Sequence, residues 1–160
     1  MRNLFGELLA GSMVADERIW VLTGDLGFGV LNKAREVAPA RAYNVGAAEQ
    51  LMLGAAVGLT HNNQIPICYS ITPFVIFRPY EWLRNYLNHE LAPVKLVGAG
   101  RDKDYGDLGF SHWAIDDEDA LNAFPNIQIY KPKNKAELSD IWDDFLYNDK
   151  PCYLNVSRAG

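Results

Sequence analysis

Residues 65–98 read IPICYSITPFVIFRPYEWLRNYLNHELAPVKLVG, and this stretch decides the fold. It opens on a continuous apolar run, Ile65-Pro66-Ile67-Cys68-Tyr69-Ser70, and closes on another, Val94-Lys95-Leu96-Val97-Gly98. Neither run alternates polar with apolar residues, so each predicts a strand buried on both faces. Pro66 sits near the start of its run, where a missing N–H is tolerated. Between the runs, residues 74–90 have helical spacing, with Pro79 as a first-turn residue or a kink. Strand, helix, strand in this order gives a parallel pair. The rest of the chain repeats the alternation. Leu4, Leu8, Leu9 and Met13 predict an opening helix that closes near Asp16. Further strands are predicted at Ile19–Thr23, Arg41–Val45, Ile127–Tyr130 and Tyr153–Val156, and further helices over 47–61, 117–123 and 134–148. The expected fold is α/β: a three-layer α/β/α sandwich with a mostly parallel sheet, in one domain over residues 1–160.

Composition excludes several functions. Twenty acidic residues against 15 basic give a net charge of -5. No basic patch is available to release counterions, so a nucleic-acid partner is not expected. No apolar run approaches the roughly 18 residues that a membrane span needs. Residues 1–15 lack a basic region followed by a long apolar core, so they do not read as a signal peptide, and a cytoplasmic location is expected. Cys68 and Cys152 lie in apolar strand-like runs and read as buried free thiols in a reducing compartment. Three His without ligand-like spacing predict no metal site in this chain.

Open α/β sheets bind ligands beyond the carboxyl ends of their strands, so the loops at Thr23–Gly29, Asn44–Glu49, Ile71–Phe77 and Gly100–His112 should meet on one edge. Glu49 opens the helix over 47–61, whose expected apolar stripe is Ala48, Leu51, Met52, Ala55, Ala56 and Leu59. It is either an exposed first-turn carboxylate favoured by the helix dipole or a buried acid able to trade a proton with a bound heterocycle. In Thr23-Gly24-Asp25-Leu26-Gly27-Phe28-Gly29 the glycine spacing misses the dinucleotide fingerprint, and Asp25 reads as a turn residue. Phe74, Phe77 and Tyr80, spaced by three, share a helical face that either walls a pocket for a flat ring or faces the core. Arg78 and Arg84 either bind an anion or pair with carboxylates such as Glu81. The glycine-rich loop 105–112 ends in His112, either an acid/base over a substrate or an ordinary surface residue.

Taken in order, these segments resemble the pyrimidine-binding domain of the transketolase family of thiamine-diphosphate enzymes, over about the whole chain. The similarity is carried by Leu22-Thr23-Gly24-Asp25-Leu26, then Asn44-Val45-Gly46-Ala47-Ala48-Glu49-Gln50. Phe74-x-x-Phe77-x-x-Tyr80, Arg78-Pro79-Tyr80-Glu81-x-x-Arg84-Asn85 and Gly106-x-x-Gly109-x-Ser111-His112 follow. The chain most resembles the short C-terminal subunit of split transketolase-like proteins. The resemblance implies that Glu49 hydrogen-bonds a ring nitrogen of the aminopyrimidine and promotes the imino tautomer that takes the thiazolium C2 proton, ahead of two-carbon ketol transfer between sugars. It implies that Phe74, Phe77 and Tyr80 stack on or line the pyrimidine, that Asp25 lies near the cofactor and a subunit interface, and that His112 and Arg78 face a sugar or sugar-phosphate substrate.

The sequence also departs from the family. The Gly-Asp-Gly motif and downstream Asn that hold the diphosphate and Mg²⁺ are absent; Gly24-Asp25-Leu26 is not that motif. The chain is therefore expected to bind only the pyrimidine end of thiamine diphosphate. A diphosphate-binding partner subunit would hold Mg²⁺, in a dimer or heterotetramer. The resemblance places residue 160 near the end of the pyrimidine-binding domain, and the family's usual C-terminal domain is not expected in this sequence. Leu108 stands where sugar transketolases carry an acid, and Trp113 follows the His. The alternatives are a non-catalytic scaffold, or a subunit similar to deoxyxylulose-phosphate synthase or to the beta subunit of 2-oxo-acid dehydrogenases.

Overall fold

A computed structural model describes residues 1–158. Helix α1 (Arg2–Ala15) leads into β1 (Ile19–Thr23), α2 (Asn32–Val37), β2 (Ala42–Asn44), α3 (Glu49–Thr60) and β3 (Ile65–Ile71). Then come α4 (Thr72–Phe77), the single turn α5 (Tyr80–Trp82), a π-helical segment over Leu83–His89 and β4 (Lys95–Ala99). The chain continues through α6 (Asp117–Leu121), β5 (Gln128–Tyr130), α7 (Lys135–Tyr147) and β6 (Cys152–Val156). The described strands form one sheet in the order β2-β1-β3-β4-β6-β5, and every pairing is parallel.

The strand pleat divides the core in two. Ile67 and Tyr69 of β3, Val97 of β4 and Leu154 of β6 meet α1 and α7 through Phe5, Leu9, Met13, Leu138, Trp142 and Phe145. Cys68, Leu96 and Tyr153 face the other way, onto Met52, Leu53, Val75, Ile76, Leu83 and Leu121. Because both faces are covered, the central strands carry apolar residues at consecutive positions. Phe145 is fully buried, with its ring edge-on to Tyr130 at 5.7 Å and beside Trp142 at 5.8 Å. Phe145→Ala is expected to cost about 3–5 kcal/mol, seen as a lower urea midpoint with an unchanged slope.

Three segments differ from the sequence expectation. The region 74–90 is not one helix: the chain breaks at Arg78-Pro79, re-forms one turn, and widens to i+5 hydrogen bonding from Leu83. Helix α2 lies in a stretch too short and too polar for periodicity to reveal it. In α3 the buried line is Glu49, Met52, Leu53, Ala56 and Val57, while Leu51 is 62% exposed. That helix is apolar or small almost all round, so hydrophobicity alone does not select its inner face.

Candidate active site

All strands run one way, so the carboxyl ends of β1, β2, β3 and β4 share an edge, and the four loops singled out above leave from it. The chain goes from β1 out to β2 and then crosses to β3 on the other side of β1, which makes the β1–β3 crevice the switch point of the sheet. Glu49 stands at that crevice. Its side chain is 1% exposed. Ser70 Oγ, from the end of β3, donates to Glu49 Oε1 at 3.1 Å. Arg78 Nη1 lies 2.9 Å from both carboxylate oxygens. At the end of β1, a Cβ on Gly24 would lie 2.9 Å from Glu49 Oε1, so the glycine there makes room for the carboxylate. Glu49 is thus a buried acid on the inner face of its helix, with two donors.

The Arg78 guanidinium also lies over the Phe74 ring, 3.6 Å from ring centre to Cζ. A flat cation is therefore held between an aromatic face and a buried carboxylate. Arg78, still helical in its own backbone angles, pairs with Glu49 across to α3, and the break at Pro79 takes Glu81 out of the helical phase that would have set it beside Arg78. Its own side chain remains 44% exposed. Arg84 bonds only its neighbour Asn85 among the described residues.

Phe74, Phe77, Arg78, Phe110, Trp113 and Asp116 help line an open cavity of about 220 Å³, and Glu49 lies behind its Arg78 wall. That is smaller than the roughly 300–1,000 Å³ of sites that enclose a whole ligand, and fits one ring with the remainder outside. A larger depression of about 460 Å³ runs along Arg84–Glu90, but its described lining is solvated polar surface with no buried acid or base. Tyr80 is not at the cavity: its hydroxyl donates to Ala120 O at 2.8 Å and its ring lies against Phe124. The break after Arg78 ends the helical phase that would have put the three aromatics on one face.

His112 reaches the site on a closed loop. Ala114 N donates to Asp102 O at 2.7 Å across its neck, and Trp113 Nε1 donates to Gly106 O at 2.9 Å across its interior. The His112 ring meets Phe74 edge-on at 5.0 Å, and its Nδ1 is 3.0 Å from Ser111 Oγ. Asp25 stands on the opposite side, with φ of 56°. Asn44 fixes it, accepting from Asp25 N at 2.9 Å and donating to its carboxylate at 3.2 Å. Asn44 Oδ1 also accepts from Gly46 N at 3.0 Å and so ties two site loops together.

Periodicity and motif reading missed Ser70, Gly24 as the seat of the carboxylate, and Arg2. Arg2 opens α1 at the same edge; its Nε is buried without a hydrogen-bond partner among the described residues, and its guanidinium reaches Tyr69 and Tyr105. The available signals were weak: a Ser inside an apolar strand, and a Gly immediately after one.

Residues 1–159 match the family described as "Transketolase, pyrimidine binding domain". The chain is 33% identical over 118 residues to one of the subunits of the apulose-4-phosphate transketolase of Actinobacillus succinogenes, covering 74% of this chain and 38% of that protein. It is 28% identical over 159 residues to 6-deoxy-6-sulfo-D-fructose transketolase subunit SqwH of Clostridium sp. strain MSTE9, covering 99% of this chain and 49% of that one. A solved structure described as a split gene transketolase, inactive beta4 tetramer, superposes with a TM-score of 0.85 at 27% identity, covering 99% of this chain and 51% of its own. The chain thus spans about half or less of the length of these relatives. Among the described residues no helix is long and apolar enough to cross a membrane.

Proposed function

The chain belongs to the transketolase pyrimidine-binding domain family, and from that premise we propose that it is the cofactor-activating part of a split thiamine-diphosphate-dependent transketolase. It would transfer a two-carbon ketol unit between sugars together with a diphosphate-binding partner subunit. The observation that carries this reading is the clamp at Glu49: a buried carboxylate and the Phe74 face hold a flat cationic group between them. Those two contacts are what a flat, protonatable heterocycle requires, so the residues present fit the pyrimidine end of thiamine diphosphate. The cofactor, when bound, supplies the carbon nucleophile that cleaves a ketose beside its carbonyl.

The residues of this chain then have separate tasks. Glu49 holds a proton on a ring nitrogen, sheltered from water by its burial. For that, Arg78 must release at least one Glu49 oxygen; its partial exposure leaves it room to swing outward, off both Glu49 and the Phe74 ring. Phe74 and Phe77 wall the ring, while Tyr80 packs against Phe124 away from it. Asp25 and Asn44 shape the opposite lip. His112 and Arg78 lie where hydroxyls and an anionic group of a sugar or sugar phosphate can be met. Mg²⁺ and the diphosphate fall to the partner, since the Gly-Asp-Gly motif that holds them in the family is absent from this sequence.

A partner is supported by apolar surface around the same edge: Phe28 is 75% exposed, Phe110 67% and Leu51 62%. The neighbour described as an inactive beta4 tetramer is consistent with the same need. Reconstitution tests the proposal. The chain mixed with its diphosphate-binding subunit, thiamine diphosphate and Mg²⁺ is expected to produce ketol transfer from a ketose donor, with no turnover from this chain alone. Carbon dioxide release from a 2-oxo acid, or no thiamine-dependent product with that subunit, would reject it.

A further inference from the structure

Strand β6 is buried at every position, yet two of its side chains that face α4 and α6, Tyr153 and Asn155, are polar. Both belong to one hydrogen-bonded network. Tyr153 Oη donates to Asp117 Oδ2 at 2.8 Å. The Asn155 amide lies 3.0 Å from Tyr153 Oη and 3.0 Å from Gly100 O. Thr72 Oγ1 donates to Gly100 O at 2.7 Å and stands 3.2 Å from the Asn155 amide. Arg101 Nε donates to Asn155 Oδ1 at 2.8 Å. Asp117 is 3% exposed, and Thr72 and Asn155 are fully buried.

An apolar pair would fill this space without desolvating any polar group, and each such group left unsatisfied costs about 1–3 kcal/mol. What the network adds is connection. Thr72 opens α4, the helix that carries Phe74 and delivers Arg78. Gly100 opens the loop that ends at His112. Asp117 opens α6, just after that loop. The central strand keeps Gly98 for the same purpose: a Cβ there would lie 2.6 Å from Thr72 Oγ1 and 2.9 Å from Tyr153 Oη. Burial, reinforced by the charge of Asp117, holds the Tyr153 phenol well above its ordinary value, so it remains a donor at neutral pH.

We propose that Asp117, Tyr153, Asn155 and Thr72 are positioning residues whose network fixes the spacing between α4 and the His112 loop, and thereby the contact of His112 with Phe74. This rests on the reading above for the reaction served, but its test needs neither cofactor nor partner. The edge-on Phe74 ring shifts the His112 ring C–H proton resonances, and Phe74→Leu gives their positions without that ring. In the full chain, Tyr153→Phe and Thr72→Val are each expected to move the His112 resonances more than halfway to the Phe74→Leu positions. Thr72→Val keeps the side-chain shape, so it serves if Tyr153→Phe does not fold. If the His112 resonances stay at their wild-type positions in the folded variants while the melting temperature falls, the network is only a core stabiliser and the proposal is overturned. With an active partner present, the same variants are expected to lower kcat while leaving the Kd for thiamine diphosphate unchanged.

Discussion

Glu49→Ala, assayed with the diphosphate-binding subunit and saturating thiamine diphosphate and Mg²⁺, is expected to reduce ketol transfer by about 10²–10⁴-fold, the usual contribution of a positioned acid–base group. The loss should not reflect unfolding. Removing the buried member of the Glu49–Arg78 pair leaves behind a cation whose side chain is already 44% exposed and can rehydrate. The opposite deletion is the damaging one, because Arg78→Ala leaves a carboxylate buried with Ser70 as its remaining donor among the described residues. Glu49→Ala is therefore expected to lower the melting temperature only by the few degrees that the buried Ser70 hydroxyl's lost acceptor costs, with the fold intact, while turnover collapses, and far-UV circular dichroism with a parallel rate assay checks both. Glu49→Gln separates shape from proton chemistry: it fills the same space between Gly24, Ser70 and Arg78 but cannot exchange a proton. Its rate should fall nearly as far. Full activity in Glu49→Ala would remove Glu49 from the mechanism.

The layers were legible because burial on both faces writes itself into consecutive residues. Ile67-Cys68-Tyr69 sends its side chains alternately to two cores, and no amphipathic surface strand would tolerate that run. The edge on which the site lies followed from parallel strands alone. The inner face of α3 was not legible, because Glu49 occupies a position that hydrophobicity assigns to an apolar residue; only the donors Ser70 and Arg78, 21 and 29 residues away, make its burial possible. The role of Arg78 was hidden for a related reason. Arg78 still has helical backbone angles and points toward α3, while the break at Pro79 carries Glu81 and Tyr80 out of the phase that a regular helix would give them and parts Tyr80 from Phe74. Asn155 and Gly98 each sit in an apolar strand as an exception to the local pattern, and both mark the network under the site. Local rules fail here where function or its support overrides them.

Alkaline pH is expected to unfold this protein steeply. Cys68, Cys152, Tyr69 and Tyr153 are all 1% exposed or less, and burial raises the pKa of each above its ordinary value. Each group is neutral while protonated. Above its unfolded pKa, about 8.5 for Cys and 10 for Tyr, the unfolded chain releases a proton that the folded chain still holds. Stability is therefore intact below that range and falls as pH rises through it, by up to about 1.4 kcal/mol per pH unit for each group. Lys95 acts in the opposite sense. Its ammonium is buried against Asn148 O, Lys150 O and Asn148 Oδ1, and burial lowers its pKa. It gains stability with rising pH only up to the ordinary lysine value, about 10.4, and nothing beyond. Past that point the buried thiols and phenols act unopposed, and several such groups together weigh heavily against a total of about 5–15 kcal/mol for a typical domain. Ellipticity should collapse within about two pH units above 10, with tyrosinate absorbance rising in the same cooperative step. Tyr69→Phe removes one of these groups and should make the decline shallower. Tyrosine titration complete near its ordinary value with ellipticity unchanged would show that these side chains reach solvent in the folded state.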